Sequence, residues 1–280
     1  MFYLLKSFIQ MKILINNNDL NEALNNVTNL GFVPTMGSLH KGHISLIKNS
    51  LKQCNKTIVS IFINPTQFNN QKDYLKYPRN NKLDLSILKK LGVNYVFMPN
   101  KRDVYGSNQR SKIQLKKKDK ILCAKYRKGH FEGVIDVMNR LTKLIKPKKI
   151  FMGEKDFQQL YLVKKYIEKS YRSKIVSCKT IRDKNNLALS SRNLHLNKAE
   201  LTKGGNIATN VIYFKKKIKN KKNLKKILLK KKKELNKMFN ISIEYIDLRN
   251  KINLNKSNKV KNSKIFLAYY LNKVRLIDNF

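Results

Sequence analysis

The sequence predicts an α/β fold in which a doubly wound, Rossmann-like parallel sheet is followed by a smaller α+β C-terminal domain. Runs of apolar, β-branched residues, such as residues 57–63, are typical of strands buried on both faces of a parallel sheet. Segments with apolar residues at helical spacing separate these runs, and such alternation produces β-α-β units. Beyond Arg192 the chain becomes rich in lysine and then shows short alternating segments, which are typical of a separate small domain.

The elements of the parallel sheet alternate regularly along the chain. Strands are predicted at residues 12–15, 31–33, 57–63, 95–98, 150–152 and 174–177. Helices are predicted at residues 18–24, from Gly42 onward, and at residues 84–91, 138–145 and 158–169. Ligands of such sheets bind at the carboxyl ends of the strands, so the polar turns found there form the expected site.

The division into domains is predicted from the change in composition. Residues 11–182 are expected to form the Rossmann-like domain, and residues 183–280 the smaller domain that closes over the ligand. Residues 1–10 are apolar but short and lack a small-residue cleavage site, so we expect an extension here and no signal peptide.

The predicted smaller domain combines a charged helix with a short antiparallel sheet. The lysine run at residues 213–237 is expected to be the solvated face of a helix. Residues 241–246 and 264–270 alternate between apolar and polar positions, which predicts two strands.

The charge of the chain raises the question of a polyanionic partner. Its 280 residues carry a formal net charge of +44, a balance typical of proteins that bind nucleic acid. Nucleic-acid-binding proteins cluster their basic residues on one face, whereas lysine here is spread along the chain with much asparagine and isoleucine. We therefore expect no specific nucleic-acid partner, and a basic binding protein remains the alternative from another functional class.

Cysteine usage and hydropathy indicate the compartment. The 3 cysteines are widely spaced and form no Cys-x-x-Cys pair, which predicts reduced thiols, a cytoplasmic location and no metal cluster. No apolar stretch reaches the length of a membrane span, so no membrane partner is expected.

The turn after the strand at residues 31–33 has the composition of an anion site. Gly37 and Gly42 allow a phosphate to approach the backbone, and the helix that begins near Gly42 directs its positive end toward the ligand. His40 and His43 lie about one helical turn apart and are expected to donate hydrogen bonds to phosphoryl oxygens. Zinc is a poor alternative, since no third His or Cys ligand lies nearby in the sequence.

Four further polar clusters accompany this turn, and three of the five clusters lie at predicted strand ends. Neutral donors and acceptors such as Asn64 and Gln67 suit a hydroxyl or a carboxylate, and Lys155 provides a point charge for phosphate. A donor-rich group at residues 190–192 could clamp a triphosphate. The clusters are residues 64–68 (NPTQF), 128–134 (KGHFEGV), 153–159 (GEKDFQQ) and 187–193 (LALSSRN).

Together these motifs resemble the pantothenate synthetases, ATP-dependent ligases of the His-x-Gly-His nucleotidyltransferase superfamily. The resemblance runs from about residue 11 to residue 279 and includes Pro34-Thr35-Met36-Gly37, His40-x-Gly42-His43, Gly153-Glu154-Lys155-Asp156, Leu189-Ser190-Ser191-Arg192 and the C-terminal Arg275-Leu276-Ile277-Asp278-Asn279. It implies a homodimeric enzyme that uses ATP with Mg²⁺. Pantoate would first form pantoyl adenylate and pyrophosphate, and the amine of β-alanine would then displace AMP.

The resemblance also implies roles for individual residues. His43 would be the proton donor, with His40 and Lys155 as the other catalytic residues. Gln67 would bind pantoate and β-alanine, Gln159 would bind pantoate with Asn64 close by, and Asp84 would be a magnesium ligand. The implied ATP-binding residues are Met36, Gly37, Ser38, Leu39, His40, Lys41, Gly42, His43, Gly153, Glu154, Lys155, Asp156, Ile181, Leu189, Ser190, Ser191 and Arg192.

The sequence departs from the pattern of the family at three places. Asn185-Asn186 stands where Asp-Gly is usual, and asparagine is the non-glycine residue that best tolerates a left-handed backbone. Lys128 replaces a common proline, and Cys123-Ala124 replaces Glu-Gly.

The His-x-Gly-His motif alone would also allow transfer of an adenylyl or cytidylyl group to another acceptor. The division of work between His40 and His43 stays open.

Overall fold

Six parallel strands form the sheet of the larger domain. The structure, a computed structural model, describes residues 10–69, 71–107 and 113–280. The strands are β1 (Lys12–Leu14), β2 (Leu30–Thr35), β3 (Lys56–Ile61), β4 (Tyr95–Phe97), β5 (Lys149–Gly153) and β6 (Lys174–Cys178). They lie in the order β1-β4-β3-β2-β5-β6, and all neighbours pair in parallel. The predicted parallel sheet is therefore confirmed.

Helices connect these strands. They are α1 (Asn17–Leu24), α2 (Lys41–Gln53), α3 (Gln71–Leu75), α4 (Asn81–Lys90), α5 (Lys101–Tyr105), α6 (Cys123–Tyr126), α7 (His130–Ile145) and α8 (Phe157–Ile167). Helix α7 begins earlier than the predicted residue 138, because the left-handed Gly129 (φ 78°) lets the chain turn directly into the helix. Its first residues are buried, so the helical face could not be read from exposed polar positions.

The central strands are buried on both faces, as their apolar runs predict. Phe32 and Ile58 lie in the core on the side of α7, whereas their neighbours Val33 and Val59 lie in the core on the side of α2. Successive side chains of a strand point to opposite faces, so each strand contributes to two cores. Helices therefore cover both faces, and the doubly wound architecture is confirmed.

The smaller domain packs two helices on a three-stranded antiparallel sheet. Its elements are α9 (Lys198–Lys217), α10 (Leu224–Phe239), β7 (Ser242–Asn250), β8 (Ser263–Leu271) and β9 (Val274–Asn279), with strand order β7-β8-β9. Strand β9 was not predicted, because its Arg, Asp and Asn residues hide the alternating pattern. The predicted α+β character is confirmed.

The lysine run forms parts of two helices and not one continuous face. Helix α10 buries Leu224, Leu228 and Leu235 against the sheet and leaves most of its lysines in solvent. Lys231 is an exception with 7% exposure, because its ammonium lies 2.6 Å from the Glu234 carboxylate and 5.1 Å from the centre of the Phe214 ring. Part of the predicted solvated face is therefore packed.

Several predictions about the chain as a whole have a structural counterpart. The parallel sheet ends at Cys178 and α9 begins at Lys198, so the division after residue 182 falls in the connecting segment and stays a prediction. Most of the predicted extension, residues 1–9, lies outside the described residues. All three cysteines are free thiols. Within the described residues, no helix has the length and apolar character needed to cross a membrane.

Candidate active site

Two of the predicted polar turns meet at the reversal point of the sheet. From β2 the chain adds β3 and β4 on one side of the sheet, and it later adds β5 and β6 on the other side of β2. The turns that follow β2 and β5 therefore lie side by side at the carboxyl edge, where doubly wound sheets bind their ligands. A cavity of about 270 Å³ opens here, and residues of the smaller domain complete its wall.

The turn after β2 is held in a left-handed conformation by a buried carboxylate. Gly37 and Ser38 both have positive φ, at 79° and 52°, so the N–H groups of Ser38 and Leu39 point in one direction. Both N–H groups donate to Asp84, at 2.8 Å to Oδ2 and 2.8 Å to Oδ1 respectively. Asp84 is 1% exposed and lies on α4, outside the cavity wall. Its carboxylate therefore braces the turn that leads into α2.

The His-x-Gly-His spacing has a packing reason. Nδ1 of His40 accepts the N–H of Gly42 at 3.1 Å, and a Cβ atom at Gly42 would lie 2.7 Å from the His40 ring. Only glycine leaves room for this ring over the first turn of α2. Nδ1 of His43 accepts the N–H of His40 at 3.3 Å, and the two ring centroids lie 4.1 Å apart. The two histidines thus form a reciprocal cap of the helix N-terminus.

These hydrogen bonds define the tautomers of the histidine pair. A ring nitrogen that accepts an N–H carries no proton, so in the neutral form both histidines carry theirs on Nε2. Burial lowers the pKa of His40 to about 4 and that of His43 to about 3, with further lowering from Lys155 and, for His43, from His40. Both rings are therefore neutral near pH 7 and act as Nε2–H donors.

The turn after β5 contributes the cation of the site. Lys155 and Asp156 line the cavity, with the ammonium 3.4 Å from the carboxylate. Burial alone would raise the pKa of Asp156, but Lys155 and Arg192 outweigh it and the net shift is downward. Glu154 lies off the cavity wall, where its carboxylate contacts Ser177 at 2.9 Å and the Lys264 ammonium at 3.3 Å. It is thus engaged in the protein and is not aimed at a ligand.

The segment that connects the two domains forms part of the cavity wall. Leu189 N–H donates to the Ile181 carbonyl at 3.0 Å, which places both residues at the cavity wall. The turn between them contains Asn186 at φ 71°, so asparagine adopts the left-handed conformation expected for this departure. Ser191 and Arg192 follow and also line the cavity.

A second polar group lies farther along the cavity. Asn64 is 1% exposed and donates to the Gly133 carbonyl at 3.2 Å and to Gln67 Oε1 at 3.3 Å. Its own Oδ1 accepts the Tyr105 hydroxyl at 2.6 Å. Both the nitrogen and the oxygen of the Asn64 amide are therefore hydrogen-bonded, and its bond to Oε1 orients Gln67. Nε2 of Gln67 also contacts Met36 Sδ at 2.8 Å. The close approach of α7 to this segment needs Gly133, where a Cβ would lie 2.5 Å from a backbone oxygen.

An arginine that was not predicted faces the same part of the cavity. Arg127 Nη1 donates to His130 Nε2 at 2.7 Å, so the proton of the neutral His130 ring is on Nδ1, which donates to the Gln67 carbonyl at 2.7 Å. Burial, followed by Arg127, lowers the pKa of His130 to about 3. Burial, followed by the Arg192 charge, lowers the pKa of Arg127 to about 10. Arg127 has no carboxylate within 4.0 Å in the described part of the chain.

Most predicted site residues meet at this cavity. Those on its wall are Met36, His40, Gly42, His43, Asn64, Gln67, Gly153, Lys155, Asp156, Gln159, Ile181, Leu189, Ser190, Ser191 and Arg192. Those off the wall are Gly37, Ser38, Leu39, Lys41, Asp84 and Glu154. The first three of these shape the turn through their backbone, and Lys41 is exposed.

Sequence reasoning assigned no role to several residues of the cavity wall. They are Tyr77, Cys123, Arg127, His130, Tyr245, Arg275, Asp278 and Asn279. His130, Arg275, Asp278 and Asn279 belong to motifs that carry the family resemblance, and these motifs were the available signal. The others come from distant parts of the chain, and their approach depends on how the two domains pack.

The residue predicted to bind magnesium, Asp84, is engaged by the protein backbone. The described residues contain no group of three or more His, Cys, Asp or Glu side chains that could hold a metal ion. Both oxygens of Asp84 already accept backbone N–H groups at 2.8 Å. The geometry thus gives Asp84 a bracing role, and its role as a magnesium ligand stays a prediction.

Comparison with known proteins places these features in a family. The profile described as Pantoate-beta-alanine ligase matches residues 10–280. A pantothenate synthetase of Endomicrobium trichonymphae is 39% identical over 277 residues, which is 96% of this chain and 97% of that protein. One from Clostridium botulinum is 39% identical over 259 residues, 90% of each chain.

Solved structures show the same fold. The pantoate-beta-alanine ligase from Francisella tularensis, complexed with beta-gamma ATP and beta-alanine, is 37% identical, with a TM-score of 0.81 over 96% of this chain and 97% of that chain. The pantothenate synthetase from Thermus thermophilus is 27% identical, with a TM-score of 0.88 over 96% of this chain and 99% of that chain. With motifs, fold and full-length similarity in agreement, the chain belongs to the pantoate-beta-alanine ligase family.

Proposed function

We propose that this chain joins pantoate to β-alanine at the cavity between its two domains, through a pantoyl-adenylate intermediate. The observation that carries the proposal is the convergence of two Nε2–H donors, from His40 and His43, with Lys155 and Arg192 at one end of the cavity. The two donors and the two cations complement the negative charge of a triphosphate. Neutral amide groups and Arg127 occupy the part of the cavity around Gln67, which suits a hydroxy acid and an amino acid.

In the first step the chemistry depends on the phosphate end. A carboxylate oxygen of pantoate forms a bond to the α-phosphorus of ATP, and the bond from that phosphorus to pyrophosphate breaks. His40 and His43 donate hydrogen bonds to phosphoryl oxygens, and Lys155 neutralises charge that develops on them. No protein nucleophile is required, because positioning and charge neutralisation lower the barrier.

In the second step the amine attacks the activated acyl carbon. The amine of β-alanine forms the amide bond, AMP leaves with the electron pair of the mixed anhydride, and one amine proton is released. Gln67 and Gln159 hold the pantoyl group through hydrogen bonds, with Gln67 oriented by Asn64.

Arg127 is the residue best suited to the carboxylate of β-alanine. Its Nη1 is bound to His130, which leaves Nε and Nη2 without a hydrogen-bond partner in the described residues. A guanidinium with two free donors binds a carboxylate in bidentate fashion. His130 also donates to the Gln67 carbonyl, so the proposed anchor and the proposed pantoate ligand are held by one ring.

The finer points of the proposal concern magnesium, assembly and location. Mg²⁺ would enter bound to the phosphates of ATP, since this cation keeps much of its water and needs few protein ligands. A cytoplasmic homodimer is consistent with the free thiols and with the family. Sedimentation analysis of the purified chain tests the assembly, and a monomeric mass would exclude the dimer.

The function is tested by AMP formation. Purified protein is mixed with ATP, Mg²⁺, pantoate and β-alanine, and AMP is measured against a control without pantoate. We expect AMP to appear only when both pantoate and β-alanine are present. Absence of AMP above the level of the control would refute the ligase proposal. Release of pyrophosphate with another acceptor would favour the alternative, transfer of a nucleotidyl group.

A further inference from the structure

The last strand of the smaller domain ends against the turn that carries Lys155. Nδ2 of Asn279 donates to the carbonyl oxygens of Glu154, at 2.8 Å, and Lys155, at 2.9 Å. Asn279 is 3% exposed and lies at the end of β9, far from this turn in the sequence. Both amide hydrogens are thus used to hold the backbone of one turn in the other domain.

This arrangement defines the orientation of the amide group. If the amide were rotated by half a turn, Oδ1 would face two carbonyl oxygens and both hydrogen bonds would be lost. In the present orientation Oδ1 is buried and has no partner in the described part of the chain. Burying an acceptor that has no hydrogen-bond partner costs free energy. The favourable contribution of Asn279 therefore comes from the two hydrogen bonds that it donates.

A buried ion pair holds Asn279 itself in place. Arg182 donates to Asp278 in bidentate fashion, at 2.6 Å and 2.8 Å, and Arg182 Nη2 also donates to the Asn279 carbonyl at 3.2 Å. Arg182 belongs to the segment that follows β6, so the end of β9 is attached to the connection between the domains. A continuous set of contacts therefore runs from this connection through β9 to the Lys155 turn.

The direction of the Lys155 side chain depends on this backbone. Its ammonium has one hydrogen-bond partner in the described residues, the neighbouring Asp156 carboxylate at 3.4 Å. That contact is long and lies within the same turn, so it does not tie the turn to the rest of the protein. Asn279 does so from outside, at the carbonyl of Lys155 itself.

We propose that Asn279 is a positioning residue: by holding the carbonyls of Glu154 and Lys155, it presents the Lys155 ammonium to the phosphates of ATP. The proposal rests on the phosphate-binding role proposed for Lys155. It connects β9 of the smaller domain to the phosphate site without direct contact between Asn279 and the nucleotide. The packing of β9 against this turn and the correct placement of the Lys155 ammonium are therefore coupled.

The test is a double-mutant cycle on ATP binding, measured by titration calorimetry with the full chain. Asn279→Ala is expected to weaken ATP binding about tenfold when Lys155 is present, which corresponds to ~1.4 kcal/mol. In the Lys155→Ala background the same change is expected to have an effect of less than about twofold, because Asn279 then has no ammonium to position. Equal weakening in both backgrounds would overturn the proposal, since it would indicate direct contact or general loosening.

Asn236→Ala is the matched control. An asparagine amide is removed there too, but Asn236 Oδ1 accepts the Ile243 N–H at 3.0 Å in the same domain, away from the Lys155 turn. We expect a lower unfolding midpoint and unchanged ATP affinity; weaker ATP binding in this variant would also overturn the proposal. If Asn279→Ala does not fold, Asn279→Ser takes its place in the cycle.

Failure of this inference is separable from failure of the proposed function. Wild-type protein that forms AMP with pantoate and β-alanine supports the ligase, whatever the cycle shows. If that protein is active and Asn279→Ala binds ATP as well as wild type, the positioning role of Asn279 alone is wrong.

Discussion

Replacing Asp84 with asparagine is expected to destabilise the protein even when no metal or nucleotide is present. The carboxylate accepts the N–H groups of Ser38 and Leu39, at 2.8 Å each, and is 1% exposed. Asparagine keeps one acceptor but brings an NH₂ group against the other backbone N–H. These two N–H groups follow residues in the left-handed conformation, so the bonds also hold an unfavourable backbone in place.

The magnitude follows from the two hydrogen bonds. A hydrogen bond to a charged group contributes about 1.5–3 kcal/mol, and a neutral one about 0.5–1.5 kcal/mol. Losing one charged bond and weakening the other to a neutral bond gives a loss of about 2–4 kcal/mol in the free energy of unfolding. The same loosening of the turn that begins α2 should also weaken ATP binding.

Urea unfolding followed by circular dichroism, with EDTA present, measures this loss. Glu22→Gln is the matched control, because it removes a carboxylate of the surface helix α1 and should change stability by less than about 0.5 kcal/mol. If Asp84→Asn unfolds like wild type but needs more Mg²⁺ for AMP formation, the bracing role is refuted and the metal-ligand role is supported.

Three further predictions concern the cavity. Lys155→Ala and His43→Ala should each abolish pantoate-dependent exchange of pyrophosphate into ATP, because phosphate charge is no longer stabilised; near-normal exchange in a folded variant would contradict the assigned role. Arg127→Ala should lower kcat/KM for β-alanine about 100-fold but affect propylamine, which has no carboxylate, far less. Equal losses with both amines would exclude Arg127 as the carboxylate anchor. Burial lowers the pKa of His130 to about 3 in the folded protein, whereas a histidine of the unfolded chain has a pKa near 6.5. As the pH falls below 6.5, the unfolded chain therefore binds a proton that the folded chain does not bind, and the free energy of unfolding decreases. His130→Asn should remove about 2 kcal/mol of the stability loss between pH 7 and pH 5, measured by urea unfolding; an unchanged loss would contradict this.

The sequence was sufficient for the six strands of the parallel sheet and for the turns of the proposed site. Apolar runs such as residues 57–63 report burial on both faces, and this depends on local composition alone. The glycine of His-x-Gly-His is likewise a local requirement, since the His40 ring lies over Gly42 within one helical turn. The lysine run was less informative, because a charged side chain such as Lys231 can be buried when a partner is near.

Roles that depend on contacts between distant residues could not be predicted. Asp84 is separated from Ser38 by β3 and the helices α2 and α3, so its acceptor role depends on how α4 packs beside the turn. The tautomer of His130 likewise depends on Gln67 and Arg127, which come from different loops.

For this protein, the sequence by itself determined the fold class, the position of the proposed phosphate-binding turn and the family, because periodicity, glycine positions and motif order are local properties. The tertiary structure alone decided the strand order, which brings the turns after β2 and β5 together. It also decided that Asp84 braces the first turn and that Asn279 holds the second. Hydrogen bonds between distant segments form only after the chain has folded, and no spacing in the sequence records them. The turn after β2 is therefore recognisable from its own composition as the proposed phosphate site, and its geometry depends on residues far along the chain.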